Sequence, residues 1–349
     1  MKALLYATLI LLPFQASAVA DTPLIHGTIS EVRDERTEDI PGTRGSAVVQ
    51  DLEVLLETGE SVPVFNDRVP LSVGDGVYVL PTELLEGPVY TVHDVDRTNI
   101  LFLAIFLFGV VTIVVGRLVG VRALVSLVVS LGLILYVLIP LLSSGYSPVL
   151  VSALGAALIL GVAMAITHGV GRLLYAAYGG ALIAVLLAIG LGEVFVYAAH
   201  LSGFADSAAT TVSLTLGSAI NMQGLLLGAL IIGVLGIVDD LAVTQVVTVS
   251  ELRESGVADT KELYSRAMHV GREHLGAVVN TLVLAYAGAS LPLLILFSYA
   301  PAPTMLLLNS EVIAVEIVRA AVGGIALATV IPVATYLGIL AHRPTSEGV

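Results

Sequence analysis

The feature that most constrains this chain is a series of apolar runs long enough to cross a lipid bilayer. Seven of them follow Asn99, at about 99–116, 123–142, 148–167, 173–192, 222–247, 275–298 and 312–340. A helical span needs roughly 20 residues. "NILFLAIFLFGVVTIVVG", Asn99 to Gly116, and "GLLLGALIIGVLGIV", Gly224 to Val238, hold no charged residue at all. In hydrocarbon no water satisfies the backbone, so each run must close its own hydrogen bonds as a helix. Composition agrees, with 57% hydrophobic residues and a mean hydropathy of +0.98. The fold class read from this is an α-helical multi-span membrane protein of about seven transmembrane helices over 98–341, with the lipid bilayer as its first partner.

Lys and Arg give these spans an orientation, because they collect in cytoplasmic loops. With the first span entering from outside, the inner loops hold Arg117 and Arg122, then Arg172, then Arg253, Lys261, Arg266 and Arg272, and the tail holds Arg343. The outer loops, around 143–147, 193–221 and 299–311, hold no Lys or Arg. The alternation is complete, which leaves 342–349 as a cytoplasmic tail. At the other end, "MKALLYATLILLPFQASAVA" has one Lys, a short apolar core and small residues in an A-x-A arrangement, Ala16 to Ala18 or Ala18 to Ala20. Residues 1–20 are read as a signal peptide, with an uncleaved anchor as the alternative. Either one sends the next segment outside.

That segment, 21–97, is polar and rich in Val, Gly, Asp and Glu. "AVVQDLEVLLETGESVPVFND" alternates around a Thr-Gly turn, and "VPLSVGDGVYVLP" runs from a Gly-Asp-Gly turn into a strand. Short strands with such turns predict a small extracytoplasmic β domain. The net charge of −13 argues against a nucleic-acid partner. There is no cysteine, so disulfides, thiolate metal sites and Cys nucleophiles are excluded. The outer segment 193–221 is too apolar for a plain loop and too polar for a span; it reads as an interfacial or re-entrant piece.

Against this background Asp239 and Asp240 stand out, adjacent in "GIVDDLAVTQ". A charged Asp at the centre of a span costs about 2.5–3.5 kcal/mol on insertion scales, and such residues mark ion or proton sites by default. The alternative, a solvated cap at a helix end, sits poorly with the apolar "LAVTQVVTV" that follows. Adjacent helical residues point about 100° apart, which also excludes the shared-proton pair of an aspartic protease. Candidate partners lie in "RAMHVGREHLGAVVNTLVLAYAG", Arg266 to Gly288. His269, Glu273, Gly276 and Asn280 fall on one helical stripe. Arg272 and His274 are placed to neutralise the aspartates. Gln245 and Asn280 offer hydrogen bonds deeper in the membrane, with Thr244 in support. A His269–Glu273 pair at i,i+4 could take a divalent metal, but the same spacing fits an ordinary helix cap. The glycines Gly224, Gly228, Gly233 and Gly236 either pack helices or loosen this one before Asp239. Glu316 and Arg319 are expected to pair or snorkel, and His168 with Arg172 to face the cytoplasm.

The segment "GVLGIVDDLAVTQVVTVSELRE", with "LYSRAMHVGREHLGAVVNTLVLAYAGASLPLLILF", resembles the YibE/F-like family of bacterial membrane proteins. "VPLSVGDGVYVLP" through "RTNILFLAIFLFGVVTIVVGRLVGVRALVSLVVSL" is similar to that family's soluble domain and first two spans. The resemblance implies a multi-pass protein of the bacterial inner membrane. It implies no agreed activity.

Two functions fit. One is a transporter or permease for a small solute or ion, coupled to protons or a cation at Asp239 and Asp240, with Gln245, Glu273, His274 and Asn280 along the path. The other is a non-transporting scaffold or sensor whose external β domain binds a partner. No nucleophile–base set marks an enzyme, and no cofactor is expected.

Overall fold

The structure, a computed structural model, describes residues 24–39, 45–84, 87–217, 220–299 and 302–342. The expected signal peptide and the residues after His342 lie outside these. The chain is mostly helical, with a small β region at its N-terminal side. It divides into two compact units, Met1–Val115 and Gly116–Val349.

The β region has five strands: β1 Ile25–Asp39, β2 Ser46–Leu56, β3 Ser61–Asn66, β4 Gly76–Leu84 and β5 Gly87–Val95. They close into a barrel in the order β1-β2-β3-β5-β4. All pairings are antiparallel except β3 with β5. The period of two in the sequence decides which residues go inside. Leu52, Val54 and Leu56 of β2 and Val62 and Val64 of the neighbouring β3 point into the core together with Ile29, Val77, Val79 and Val92. The Thr-Gly turn is as expected: Gly59 adopts φ 86 and closes the β2–β3 hairpin, donating to the Leu56 carbonyl at 2.9 Å.

One end of the barrel is plugged by two buried amides. Gln50 and Asn66 are each 1% exposed. Gln50 Oε1 accepts from Asn66 Nδ2 at 2.9 Å and from the Leu71 N–H at 2.8 Å. Gln50 Nε2 donates to the Leu71 carbonyl at 3.0 Å and to Glu35 at 2.8 Å. Buried polar atoms need such partners, and here they hold the β3–β4 connection over the barrel mouth.

After the barrel the helices are α1 Thr98–Leu133, a π-helical turn Ile134–Leu138, and α2 Ile139–Ser143. Next come α3 Pro148–His168, α4 Arg172–Ala198, α5 Ser207–Leu216 and α6 Met222–Glu254. The chain ends with α7 Thr260–Ala289, α8 Leu291–Tyr299, α9 Thr304–Leu308 and α10 Glu311–Ala341. Five helical runs are long and apolar enough to cross a membrane, or six if α7 and α8 are one broken span. That differs from the expected seven in two places. The first two expected spans lie on one run, Thr98–Ser143, interrupted where Arg117 leaves helical geometry at φ 51, ψ −129. The expected span 275–298 is bent by 65° between α7 and α8. The bend falls at Ser290, the C-cap of α7, and Pro292 sits in the first turn of α8, where its missing N–H costs no intrahelical bond but cannot continue the α7 ladder. The segment 193–221 also resolves: α4 runs on to Ala198, and α5 is a short, largely exposed helix capped by Asp206.

The helical core forms around α6, the most enclosed of the candidate spans. Its buried stripe, Leu230, Ile231, Val234, Val238, Leu241, Ala242 and Val246, keeps helical spacing. It meets α4 through Ala177, Ala181, Ala184 and Ala188, and α10 through Val322, Ala326, Val330 and Ala334. Small side chains let these helices approach closely. A Cβ on Gly180 would stand 3.1 Å from the Ala334 backbone. Gly224 and Gly228 pack on Pro148 and Ser152 of α3, and α6 runs unbroken through all four of its glycines. Gly224 and Gly228 act as packing surfaces, Gly236 faces open space, and none of the four breaks the helix.

The bundle has two distinct ends. One gathers the α3–α4 connection, the end of α6 and the end of α10: His342 contacts Ser250 at 3.0 Å. At the other end Glu311 takes hydrogen bonds from Ser202 and Gly203, and Gln223 donates to the Leu201 carbonyl. Residues expected on the same side of the membrane thus share an end.

Candidate functional site

Asp239 and Asp240 lie near the middle of α6, about 26 Å along the axis from Met222 at 1.5 Å per residue. Val238 and Leu241, on either side of the pair, are buried. Asp239 is half-buried and Asp240 exposed. Among the described residues neither carboxylate forms a hydrogen bond or an ion pair. Their electrostatic neighbours are each other and, for Asp240, His168 at the end of α3.

Val243 and Val247 follow Asp240 at i+3 and i+7, on its face of the helix. Both line a cavity of about 520 Å³. Its other walls are His168, the connection Gly169–Gly171, the first turns of α4 from Arg172 to Ala177, and Ala341 with His342 of the α10 end. The cavity therefore lies at one end of the bundle, and its lining on α6 begins at Val243, one turn beyond Asp240.

The remaining expected residues separate into two groups. Gln245 is buried at 2% exposure. Its Nε2 donates to the Ala267 carbonyl of α7 at 2.9 Å and to Thr335 Oγ1 of α10 at 2.7 Å. Thr335 in turn donates to the Ile331 carbonyl at 2.7 Å. This polar knot joins three helices inside the core. Thr244 is half-buried beside it.

The α7 group is placed otherwise. Leu263, Ala267, Gly271 and Leu282 form the buried face of α7, with Leu275, Val278 and Val279 packed on the core. His269, Arg272, Glu273 and Asn280 are exposed, on the opposite face, and His274 is half-buried. The structure does not bring Arg272, Glu273, His274 or Asn280 into hydrogen bonds or ion pairs with Asp239 or Asp240. The reason is geometric: α7 needs its small and branched residues against α6 and α10, which turns the His269–Glu273–Asn280 stripe outward. Among the described residues no three His, Asp or Glu side chains converge as metal ligands. Glu316 and Arg319 pair as expected, at 2.8 Å, and the Arg319 guanidinium lies 5.8 Å from the Tyr286 ring centroid.

Sequence reasoning read His168 and Arg172 only as residues facing the cytoplasm, and it did not single out His342. The signal that could have joined them was topological. The alternation of Lys and Arg already put the 168–172 connection and the chain's last turn on one side of the membrane, where side chains from distant segments can share a cavity.

Comparison with known proteins finds the family described as YibE/F-like protein, matched over residues 104–343. The match begins inside α1 and covers the helical part of the chain, and the barrel lies outside it. No curated protein and no solved structure matches the chain.

Proposed function

The chain belongs to the YibE/F-like family, and from that premise we propose that it carries a small solute or ion across the bacterial inner membrane. A proton or cation bound at Asp239 and Asp240 drives or accompanies the movement. The single observation behind this reading is the placement of two adjacent carboxylates mid-way along the most enclosed helix, without a hydrogen bond or ion pair among the described residues, about one turn from Val243, where α6 begins to line the 520 Å³ cavity. A charge at that depth costs a few kcal/mol, and a second one beside it adds repulsion. A resident proton or cation offsets both. The cavity supplies water access from one face.

In this reading the barrel is extracytoplasmic and the His342 end of the bundle cytoplasmic, as the Lys and Arg distribution requires. The Thr98–Ser143 run makes two crossings, turning at Arg117, which with the broken α7–α8 span gives seven. The protein is not an enzyme in this scheme; it moves its substrate unchanged.

The test is flux into liposomes containing the purified protein, followed with an internal pH dye under imposed proton or sodium gradients. Replacing both aspartates by Asn should lower gradient-driven flux at least about tenfold, because each neutral amide removes the cation-binding charge. Equal flux in the double variant would refute the reading.

The scaffold or sensor alternative draws on the barrel. A second cavity of about 480 Å³ opens on its wall, lined by Arg33, Asp34, Asp51, Pro63, Phe65 and Tyr90 among others. If deleting residues 21–97 removes the phenotype while the Asp-to-Asn pair is silent, that reading replaces transport.

A further inference from the structure

The cavity beside Asp240 carries a chemistry that a cation pathway does not explain. Its polar side chains are basic: Arg172, His168 and His342. His342 is committed elsewhere, with Nε2 3.0 Å from Ser250 Oγ and Nδ1 3.0 Å from the Gly338 carbonyl. Arg172 and His168 are not. Among the described residues neither forms a hydrogen bond or an ion pair, both are exposed, and the carboxylate that acts on His168 is Asp240. Arg172 is also the first residue of α4, a helix of 27 residues whose N-cap, Gly171, provides no side-chain cap. The first N–H groups of α4 have no intrahelical partners, and Arg172, Leu173 and Leu174 all line this cavity. Arg172, His168 and the first turn of α4 thus all line one space of about 520 Å³, whose other side chains, His342 apart, are Val, Leu and Ala.

We propose that this cavity binds a phosphate group, gripped by Arg172 with His168 and the first N–H groups of α4. The apolar walls accommodate either a free ion with its water or the headgroup of an anionic lipid whose tails lie along the bundle. Both sources present the same chemistry to the same side chains. The inference does not need the transport reading, since it concerns binding at Arg172 and not ion movement at Asp239.

The test uses the full chain. Purified in micelles, it is titrated with inorganic phosphate by calorimetry. In parallel, nanodiscs of phosphatidylglycerol or of phosphatidylcholine are opened in native mass spectrometry to count retained lipid. Binding should fall about tenfold or more in Arg172→Gln, in line with loss of a bidentate charge-assisted contact, and by a smaller factor in His168→Gln. Val247→Phe fills the cavity without removing a charge and should weaken binding too. Asp239→Asn with Asp240→Asn should leave binding intact or tighten it, which separates this site from the proposed flux site. Phosphate binding that depends on Arg172 identifies a free-ion site. Retention of phosphatidylglycerol alone, with the same dependence, identifies a headgroup site. If the folded wild type holds neither, or holds them equally well after Arg172→Gln, the proposal is overturned.

Discussion

Gln245→Leu separates a structural role from a transport role at the same residue. Gln245 was read from sequence as part of a membrane pathway, yet both its amide hydrogens are used in joining α6 to α7 and α10. Leucine is close in volume, so the substitution removes two donated bonds without opening a large cavity. Interhelical hydrogen bonds in membrane proteins average about 0.6 kcal/mol and reach about 1.7. Two of them give roughly 1–3 kcal/mol of lost stability. The site has no slack to absorb a shift, since a Cβ on Gly271 would already stand 2.7 Å from Gln245 Oε1 and 2.6 Å from Ile331. The assay is reversible unfolding in mixed micelles, with Thr335→Val as the second arm of a double-mutant cycle. A coupling energy of about 0.6–1.7 kcal/mol is expected between positions 245 and 335. Flux per folded molecule should be unchanged. Unaltered stability together with lost flux would refute the argument and return Gln245 to the pathway.

Other perturbations follow from the same geometry. Gln50→Leu strands the Leu71 N–H and the Asn66 amide in a closed barrel end, and should cost about 2–4 kcal/mol, read as faster hydrogen exchange across β2 and β3 in the full chain. Glu311→Gln weakens a carboxylate that accepts from the Ser202 N–H at 2.7 Å, the Gly203 N–H at 2.9 Å and the Ser202 hydroxyl; about 1–3 kcal/mol is expected, with the 199–206 connection becoming the first site of limited proteolysis. Asp96 is held below the ordinary carboxylate range, first by hydrogen bonds from Thr98 and then by His26. A lowered folded value means its stabilisation is complete above the unfolded value of about 4 and is lost as pH falls through the folded one. Asp96→Asn should therefore flatten the acid limb of the barrel's unfolding curve below about pH 4, and an unchanged slope would contradict the assignment.

The barrel was legible because its signal is local. Alternation in Leu52, Val54 and Leu56, broken by Thr58 and Gly59, specifies a strand, its inner face and its turn within a dozen residues. The membrane segments were legible for a related reason, since length and apolarity alone place a helix in hydrocarbon. The carboxylates at 239 and 240 were conspicuous by contrast with their surroundings. Their surroundings in space were not. The sequence offered α7 as the partner, because its polar stripe lies next along the chain, and the structure turns that stripe outward. It puts His168 beside Asp240 instead, from a helix that ends some seventy residues earlier.

By itself, then, the sequence determined that this chain carries helices apolar enough to cross a membrane and that a β region precedes them. Tertiary structure alone decided which face of each helix is buried, and so which polar groups share a space. The physical reason lies in the solvent. α6 and α10 are apolar on nearly every side, and lipid is as apolar as leucine. No hydrophobic pattern can then mark the packed face. It is chosen by the fit of Gly180 on Ala334 and Gly228 on Ser152, and by bonds such as Gln245 to Thr335 between residues 90 apart in the chain. Those are relations between distant segments, and they come into being only when the helices meet.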